Sequence, residues 1–427
     1  MAQRRDPLSR ILGIPRPNDS GSRRNSKLHD LLNGANSSQP PVGDTPMAGA
    51  PVVGASTDDF AVVNTNTGIS EANIIEETNE EFNKTPRDLF SDLTKYVIGQ
   101  GQGLQQICNA VCYHYKGAEI SGRKKSNTLL IGPTGSGKTY AVEKVSQLLD
   151  VPLLIADSTR FSGTGYVGDN VSSLIQELVI KAEGDSEKAA RGIIYLDEID
   201  KIAAAKGGGR DVAGRDVQNG LLKLIESAQI PVMTSSGPKV MDTKDILFIA
   251  GGAFSELYKS LDKNIIEEFA VEQSANYGQL LHDADSPGLI MALTKYGLVP
   301  EFLGRFPVLT KFNELSKNDL VKILTESEES ILKSYVGDFQ AYDLKINFDE
   351  KSIDAIAQKA YERGIGARGL KSVMEEALSP FKFYLPGAGI NELYVTDKTI
   401  LQPQDALLSL IHDNKLQGGK TNGTSKP

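Results

Sequence analysis

The sequence predicts an α/β protein: a parallel sheet covered by helices, followed by a small, mainly helical C-terminal domain. Three observations predict it. Short apolar runs, "NTLLIG", "VPLLIAD", "GIIYLDEID" and "DILFIAG", recur along the chain with helical patterns between them, and strands apolar on both faces belong inside a layered parallel sheet. A glycine-rich loop, "GPTGSGKT", joins the first run to a helical pattern. Beyond about residue 312 the apolar spacing becomes helical throughout.

Taken in order, residues 1–84 are dense in Gly, Pro, Ser and Asn, with no sustained period, and are expected to form a disordered or loosely ordered arm. Within it, "SKLHDLLNG" sets Leu28, Leu31 and Leu32 on one side of a short transient helix ending at Gly34. Order is expected from Thr85, an N-cap with Pro86 at the first helical position. The helices "QGLQQICNAVCYHYKG", "KTYAVEKVSQLLD", "NVSSLIQELVIKAEG" and "RDVQNGLLKLIES" then alternate with the four apolar strands, giving a large domain over 85–312. In the small domain, 313–410, Leu320, Ile323, Leu324, Ile331 and Leu332 stand at helical spacing. "DEKSIDAIAQKAYERG" and "ARGLKSVMEEALSPFKF" repeat the period, "ELYVTDKTI" closes as a strand, and 411–427 is a polar tail.

Composition removes several classes. A formal charge of -9 over 427 residues opposes a general nucleic-acid binder, which needs a basic surface. No apolar run reaches transmembrane length, so no membrane partner is expected. The basic start "MAQRRDPLSRILGIPRP" has no apolar h-region, and Pro7, Pro15 and Pro17 interrupt any amphipathic helix there. A cytoplasmic location is expected, with the mitochondrial matrix as the alternative. Cys108, Cys112 and His114 offer only three metal ligands on one helix. They read as half-buried helix residues in a reducing compartment.

"GPTGSGKT" comprises Gly132, Pro133, Thr134, Gly135, Ser136, Gly137, Lys138 and Thr139. It fits the phosphate-binding pattern G-x-x-x-x-G-K-[ST] between a strand and a helix. Backbone N–H groups at the glycines approach phosphates, Lys138 reaches the β/γ-phosphates, and Thr139 ligates Mg²⁺. Tyr140 follows as a further nucleotide contact. The strand "IIYLDEID" ends in Asp197, expected to hold Mg²⁺, and Glu198, expected to act as base or water orienter. ATP and Mg²⁺ are thus the expected cofactors. "GTGYVGDN" sets Tyr166 and Val167 between glycines. Read alone, that is either a hairpin tip folded back on its domain or an apolar probe held out for a partner.

Together "YVIGQ", "GPTGSGKT", "GYVGDNV", "GIIYLDEIDKI", "RDVAGRDVQNGLLKLIES", "ILFIAGGAF", "LVPEFLGRFPV" and "GARGL" resemble, in this order, the ClpX-type AAA+ protein unfoldases from about Thr85 to about residue 400. The neighbouring HslU type carries a large insertion that the run from Gly168 to Asp197 cannot hold. The resemblance implies an ATP hydrolase working as a homohexameric ring that threads polypeptide through a central pore, for degradation or complex remodelling. It makes Arg305 an arginine finger acting on the adjacent subunit's γ-phosphate and Arg368 a sensor-2 arginine acting in its own. Val97 and Ile98 become the adenine-side wall. Tyr166 and Val167 become a substrate-gripping pore loop, and Arg210 and Asp211 open a second one. Gly251 and Gly252 stand where many AAA+ proteins carry a polar sensor-1 side chain, so no sensor-1 residue is assigned.

The chain departs from that pattern in three places. No cysteine precedes Cys108, so the family's N-terminal zinc-binding domain has no counterpart. The basic pore-entrance loop is replaced by "PVMTSSGPKVM". The interval between "GGAF" and "PEF" holds no Ile-Gly-Phe-type tripeptide, which leaves docking to a ClpP-like peptidase open. The alternatives are an AAA+ ATPase acting on nucleic acid, as a loader or branch-migration motor, and a scaffold whose ATPase has decayed.

Overall fold

The computed structural model describes residues 83–117, 125–161, 167–203, 212–255, 257 and 287–421. The expected arm, except its last two residues, lies outside them, as do Tyr166, Arg210 and Asp211.

Five parallel strands form the central sheet in the order β2-β3-β6-β1-β7. These are β1 (Thr128–Ile131), β2 (Leu153–Asp157), β3 (Ile193–Asp197), β6 (Leu247–Gly252) and β7 (Val308–Lys311). The four expected strands are all present. The fifth, β7, pairs with the free edge of β1, Thr128 opposite Val308, and sequence reading missed it because "FPVLTK" is short and preceded by proline. Strand alternation sends Leu129, Ile131, Ile194, Leu196, Phe248 and Ala250 to one face. There they pack against Leu174 and Leu178 of the helix Val167–Lys181 and Val217 and Leu221 of Val212–Glu226. Leu130, Ile193, Tyr195, Leu247 and Ile249 face the opposite side, against the helices Gly101–Gly117 and Lys138–Leu149. Both faces are therefore covered, as the apolar runs require.

The two cysteines belong to this core. Both are free and buried, and burial pushes the Cys108 thiol up to about 12 and the Cys112 thiol up to about 11. Such thiols are inert. His114 Nε2 lies 2.9 Å from the Asp245 carbonyl oxygen. No metal-holding group of His, Cys, Asp and Glu exists among the described residues.

Thr85 caps Pro86–Leu93 through a reciprocal capping box with Asp88, as expected. Other boundaries differ from expectation. The helix expected from Asn170 begins at Val167, and the one expected from Arg215 begins at Val212. Part of the "RDVAG" stretch is thus helical, and Gly214 allows it to sit close: a Cβ there would lie 2.7 Å from the Ile202 carbonyl oxygen. "PVMTSSGPKVM" belongs to an antiparallel hairpin of β4 (Gln229–Thr234) and β5 (Gly237–Asp242). Gln176 clips it to the helix Val167–Lys181, its amide accepting from Met233 N at 2.7 Å and donating to Met233 O at 3.0 Å.

The C-terminal part is helical, as expected, with a small parallel pair of strands, β8 (Lys345–Phe348) and β9 (Glu392–Val395). "ELYVTDKTI" is only half strand, since Asp397–Leu401 is helical. Pro403–Thr421 is one helix reaching into the segment expected as a polar tail. No described helix is long and apolar enough to cross a membrane.

Candidate active site

The carboxyl ends of parallel strands are where such sheets bind ligands, and a cavity of about 630 Å³ opens there. Its floor is the phosphate loop between β1 and the helix Lys138–Leu149. Gly135 at φ +77° and Gly137 at φ +96° take the left-handed turns that bend the loop. Lys138 Nζ donates to the carbonyl oxygens of Gly132 at 2.6 Å and Pro133 at 3.0 Å. Burial lowers its pKa to about 8. Ser136 Oγ is buried with no hydrogen-bond partner among the described residues. A buried hydroxyl of that kind in a phosphate loop fits an external acceptor.

Across β6 from β1, β3 delivers Asp197 to the same cavity. Thr139 Oγ1 donates to Asp197 Oδ2 at 3.0 Å. Two hard oxygen donors this close, beside a phosphate loop, suit a small divalent cation. Tyr195 Oη donates to Asp197 Oδ1 at 3.3 Å, and the Glu198 N–H donates to the same oxygen at 2.9 Å. Glu198 takes the left-handed conformation, φ 56° and ψ 35°. That costs a non-glycine residue roughly 1 kcal/mol and turns its exposed side chain toward the cavity. Strain stored in this way is common at functional sites. Asp200, buried, accepts from Ala253 N at 3.1 Å and ties the end of β6 to the acidic turn.

The same geometry explains the glycines after β6. A Cβ at Gly251 would lie 2.0 Å from Tyr195 Oη, and one at Gly252 would lie 2.5 Å from Phe254 Cε2. A side chain at either position would have to displace the Tyr195 or Phe254 ring. Tyr195, which sequence reading took only as core, reaches Asp197 there.

The C-terminal part closes the cavity. Ala367 N donates to Gly135 O at 3.0 Å. The two backbones are so close that a Cβ on Gly366 would sit 2.5 Å from Gly135 O. This contact places Arg368, one residue further on, at the cavity wall. At the other end Val97 and Ile98 face Leu315, Ile323 and Ile331. Gln100 holds the two parts in register, donating to Ser136 O at 3.2 Å and Asn313 O at 2.8 Å.

Of the residues singled out from sequence, the cavity brings together Val97, Ile98, Thr134 to Tyr140, Asp197, Glu198 and Arg368. Gly132 and Pro133 lie behind it and supply carbonyls to Lys138. Arg305 is not on the wall of its own chain's cavity. It is half exposed and ion-paired with Glu226. Asn127 fixes its backbone, donating to Arg305 O at 3.0 Å while accepting from Phe248 N at 3.1 Å. Val167 begins the helix that follows the tyrosine loop. Sequence reading missed Asn127 and the apolar trio from the C-terminal part, which belong to no recognisable local pattern. Within "IIYLDEID" it overlooked Tyr195 and took Asp200 for a solvated charge, whereas Asp200 is buried.

A phosphate loop on a five-stranded parallel sheet, an acidic strand end beside it and a helical C-terminal part over it define an AAA+ ATPase. Comparison agrees: the family model described as "AAA domain (Cdc48 subfamily)" matches residues 123–309, and that of the "C-terminal, D2-small domain, of ClpB protein" matches 315–381. The "ATP-dependent Clp protease ATP-binding subunit ClpX" of Borrelia duttonii is 40% identical over 356 residues, 78% of this chain and 82% of its own. The protein of that name from Treponema denticola is 38% identical over 340 residues, 74% of this chain and 81% of its own. The chain belongs to the ClpX family of ATP-dependent unfoldases. The nucleic-acid alternative finds no support in these likenesses.

Proposed function

We propose that the chain assembles into a hexameric ring that hydrolyses ATP at subunit borders and draws polypeptide substrates through its axis. The observation that carries this reading is the division of the site. Phosphate loop, acidic strand end and Arg368 meet in one cavity, while Arg305 is anchored outside it. An arginine so placed is off its own chain's cavity, and in this reading it serves a neighbour's nucleotide, where a finger supplied in trans is worth about 10³–10⁵ in rate.

In this reading Ser136, Lys138 and the loop N–H groups bind the phosphates, and Val97 and Ile98 pack on the base. Thr139 and Asp197 would hold Mg²⁺, which would supply charge to offset that of the β/γ-phosphates. Glu198 takes the proton of the attacking water, and Arg368 and the neighbour's Arg305 offset charge on the transferred phosphoryl. Tyr166 and Val167 grip the substrate by contact that reads no sequence, and Arg210 and Asp211 belong to a second pore loop. The large and small domains divide near residue 312. The relatives are named as subunits of a protease, but this chain lacks the Ile-Gly-Phe-type tripeptide. The product of its work is therefore remodelled or degraded protein, according to whether a peptidase docks.

Substrate trapping tests the reading. A Glu198→Gln ring with ATP should retain polypeptides that wild type releases; a ring that retains none under ATP would overturn it.

A further inference from the structure

Lys144 lies one turn beyond the phosphate loop, on the same helix, and is 4% exposed. A buried ammonium is costly unless it is paired and hydrogen-bonded. Its anion comes from the C-terminal part of the chain: Lys144 Nζ pairs with Glu329 Oε1, and also donates to Gln147 Oε1 at 2.8 Å. The rings of Tyr96 and Tyr140 flank the ammonium, with centroids 5.0 and 5.2 Å away, within cation–π range. Tyr140 Oη donates to the second Glu329 oxygen at 3.1 Å. Tyr96, Tyr140 and Glu329 all line the large cavity.

The turn that carries Glu329 is also bonded to the chain just before Val97. Glu328 N donates to Lys95 O at 2.9 Å, and Ser327 Oγ donates to Tyr96 O at 3.1 Å. The wall at Val97 and Ile98 is therefore held between the phosphate-loop helix and this turn. The pair is lopsided, with side-chain exposures of 5% for Lys144 and 55% for Glu329. If the turn swings away, Glu329 loses little, whereas Lys144 loses its anion and keeps only Gln147 and the Tyr140 ring, which ride on its own helix.

We infer that Lys144, Glu329, Tyr96 and Tyr140 form an interdomain clasp, a set of positioning residues that sets how tightly the cavity retains nucleotide. The clasp touches neither the phosphate end nor the attacking water, so it acts on binding and not on bond cleavage. Whatever ligand is gripped between the two walls favours the clasped arrangement, and by linkage the clasp favours the ligand equally. This inference rests on the reading of the cavity as a nucleotide site.

The test is a double-mutant cycle on the full chain, read by titration of a fluorescent ADP analogue and by steady-state ATPase. Lys144→Met replaces the buried charge with an apolar chain of similar length and leaves behind only the half-exposed Glu329 carboxylate, so no charge is stranded in the interior; thermal melts verify folding. Glu329→Gln and Lys144→Met should each weaken binding about five- to fiftyfold. The double variant should match Lys144→Met, because the stranded charge is gone. KM for ATP should rise with the Kd while kcat stays within about twofold. Unchanged affinity in folded Lys144→Met, losses that multiply in the double variant, or a fall in kcat with KM unaltered would each overturn the clasp. Failure of the wild-type chain to bind the analogue would instead overturn the nucleotide site itself.

Discussion

Gly366→Ala tests whether the C-terminal part must sit on the phosphate loop for nucleotide to be held. Gly366 takes φ 58° and ψ -143°, a region that costs an L-residue about 1–3 kcal/mol. Its new methyl would meet Gly135 O at 2.5 Å and Gly135 C at 2.7 Å, backbone atoms that cannot rotate aside. Relief requires the two backbones to part, which lengthens the 3.0 Å bond from Ala367 N to Gly135 O at a further cost of about 0.5–1.5 kcal/mol. Together these disfavour the seated arrangement by about 2–4 kcal/mol. Affinity for a fluorescent ADP analogue should fall at least about tenfold. Gly364→Ala is the control: its φ is +64° but no atom lies within 4 Å of the added Cβ, so it should cost stability and spare affinity. If Gly366→Ala binds within twofold of wild type, seating on the loop is irrelevant to the site.

Further outcomes follow from the same geometry. Glu198→Gln should bind ATP normally and lose hydrolysis by about 10²-fold or more, measured by phosphate release; an unchanged rate removes Glu198 from its role. Burial holds Lys138 at about 8, so its ammonium, the form that binds phosphate, is present below pH 8 and lost above it. Nucleotide affinity should be flat below pH 7 and fall by up to about tenfold per unit above pH 8, while Lys138→Arg should show no such fall. Tyr166→Ala should keep most ATPase and lose unfolding of a stable tagged protein. Equal unfolding by this variant would return the loop to a packed tip.

Much of the site was legible in sequence because its chemistry sits in contiguous runs. A loop that must bend twice needs Gly135 and Gly137, and a strand that must end in two carboxylates writes "YLDE". Strands buried on both faces announce themselves as apolar runs, which is why β1, β3 and β6 were readable; β2, partly exposed on one face, was readable from the run "VPLLIAD" alone. The fifth, β7, spans four residues and gains its strand character only by pairing with β1. What closes the cavity was illegible for a related reason. Gly366 approaching Gly135, Glu329 meeting Lys144 and Asn127 bracing Arg305 join residues 178 or more positions apart. No local period encodes such meetings. The hairpin Gln229–Asp242 looked like a loop because Pro231 and Pro238 obscure its alternation.

The claim on which the account turns is that Arg305 completes a neighbour's site. Mixing Lys138→Ala with Arg305→Ala chains, each expected to be inactive alone, tests it most directly. In an equal mixture about a quarter of the borders join an intact Lys138 to an intact Arg305, so ATPase should return to about that fraction of wild type. Co-assembled rings that stay inactive, or an Arg305→Ala chain that hydrolyses ATP unaided, would contradict it.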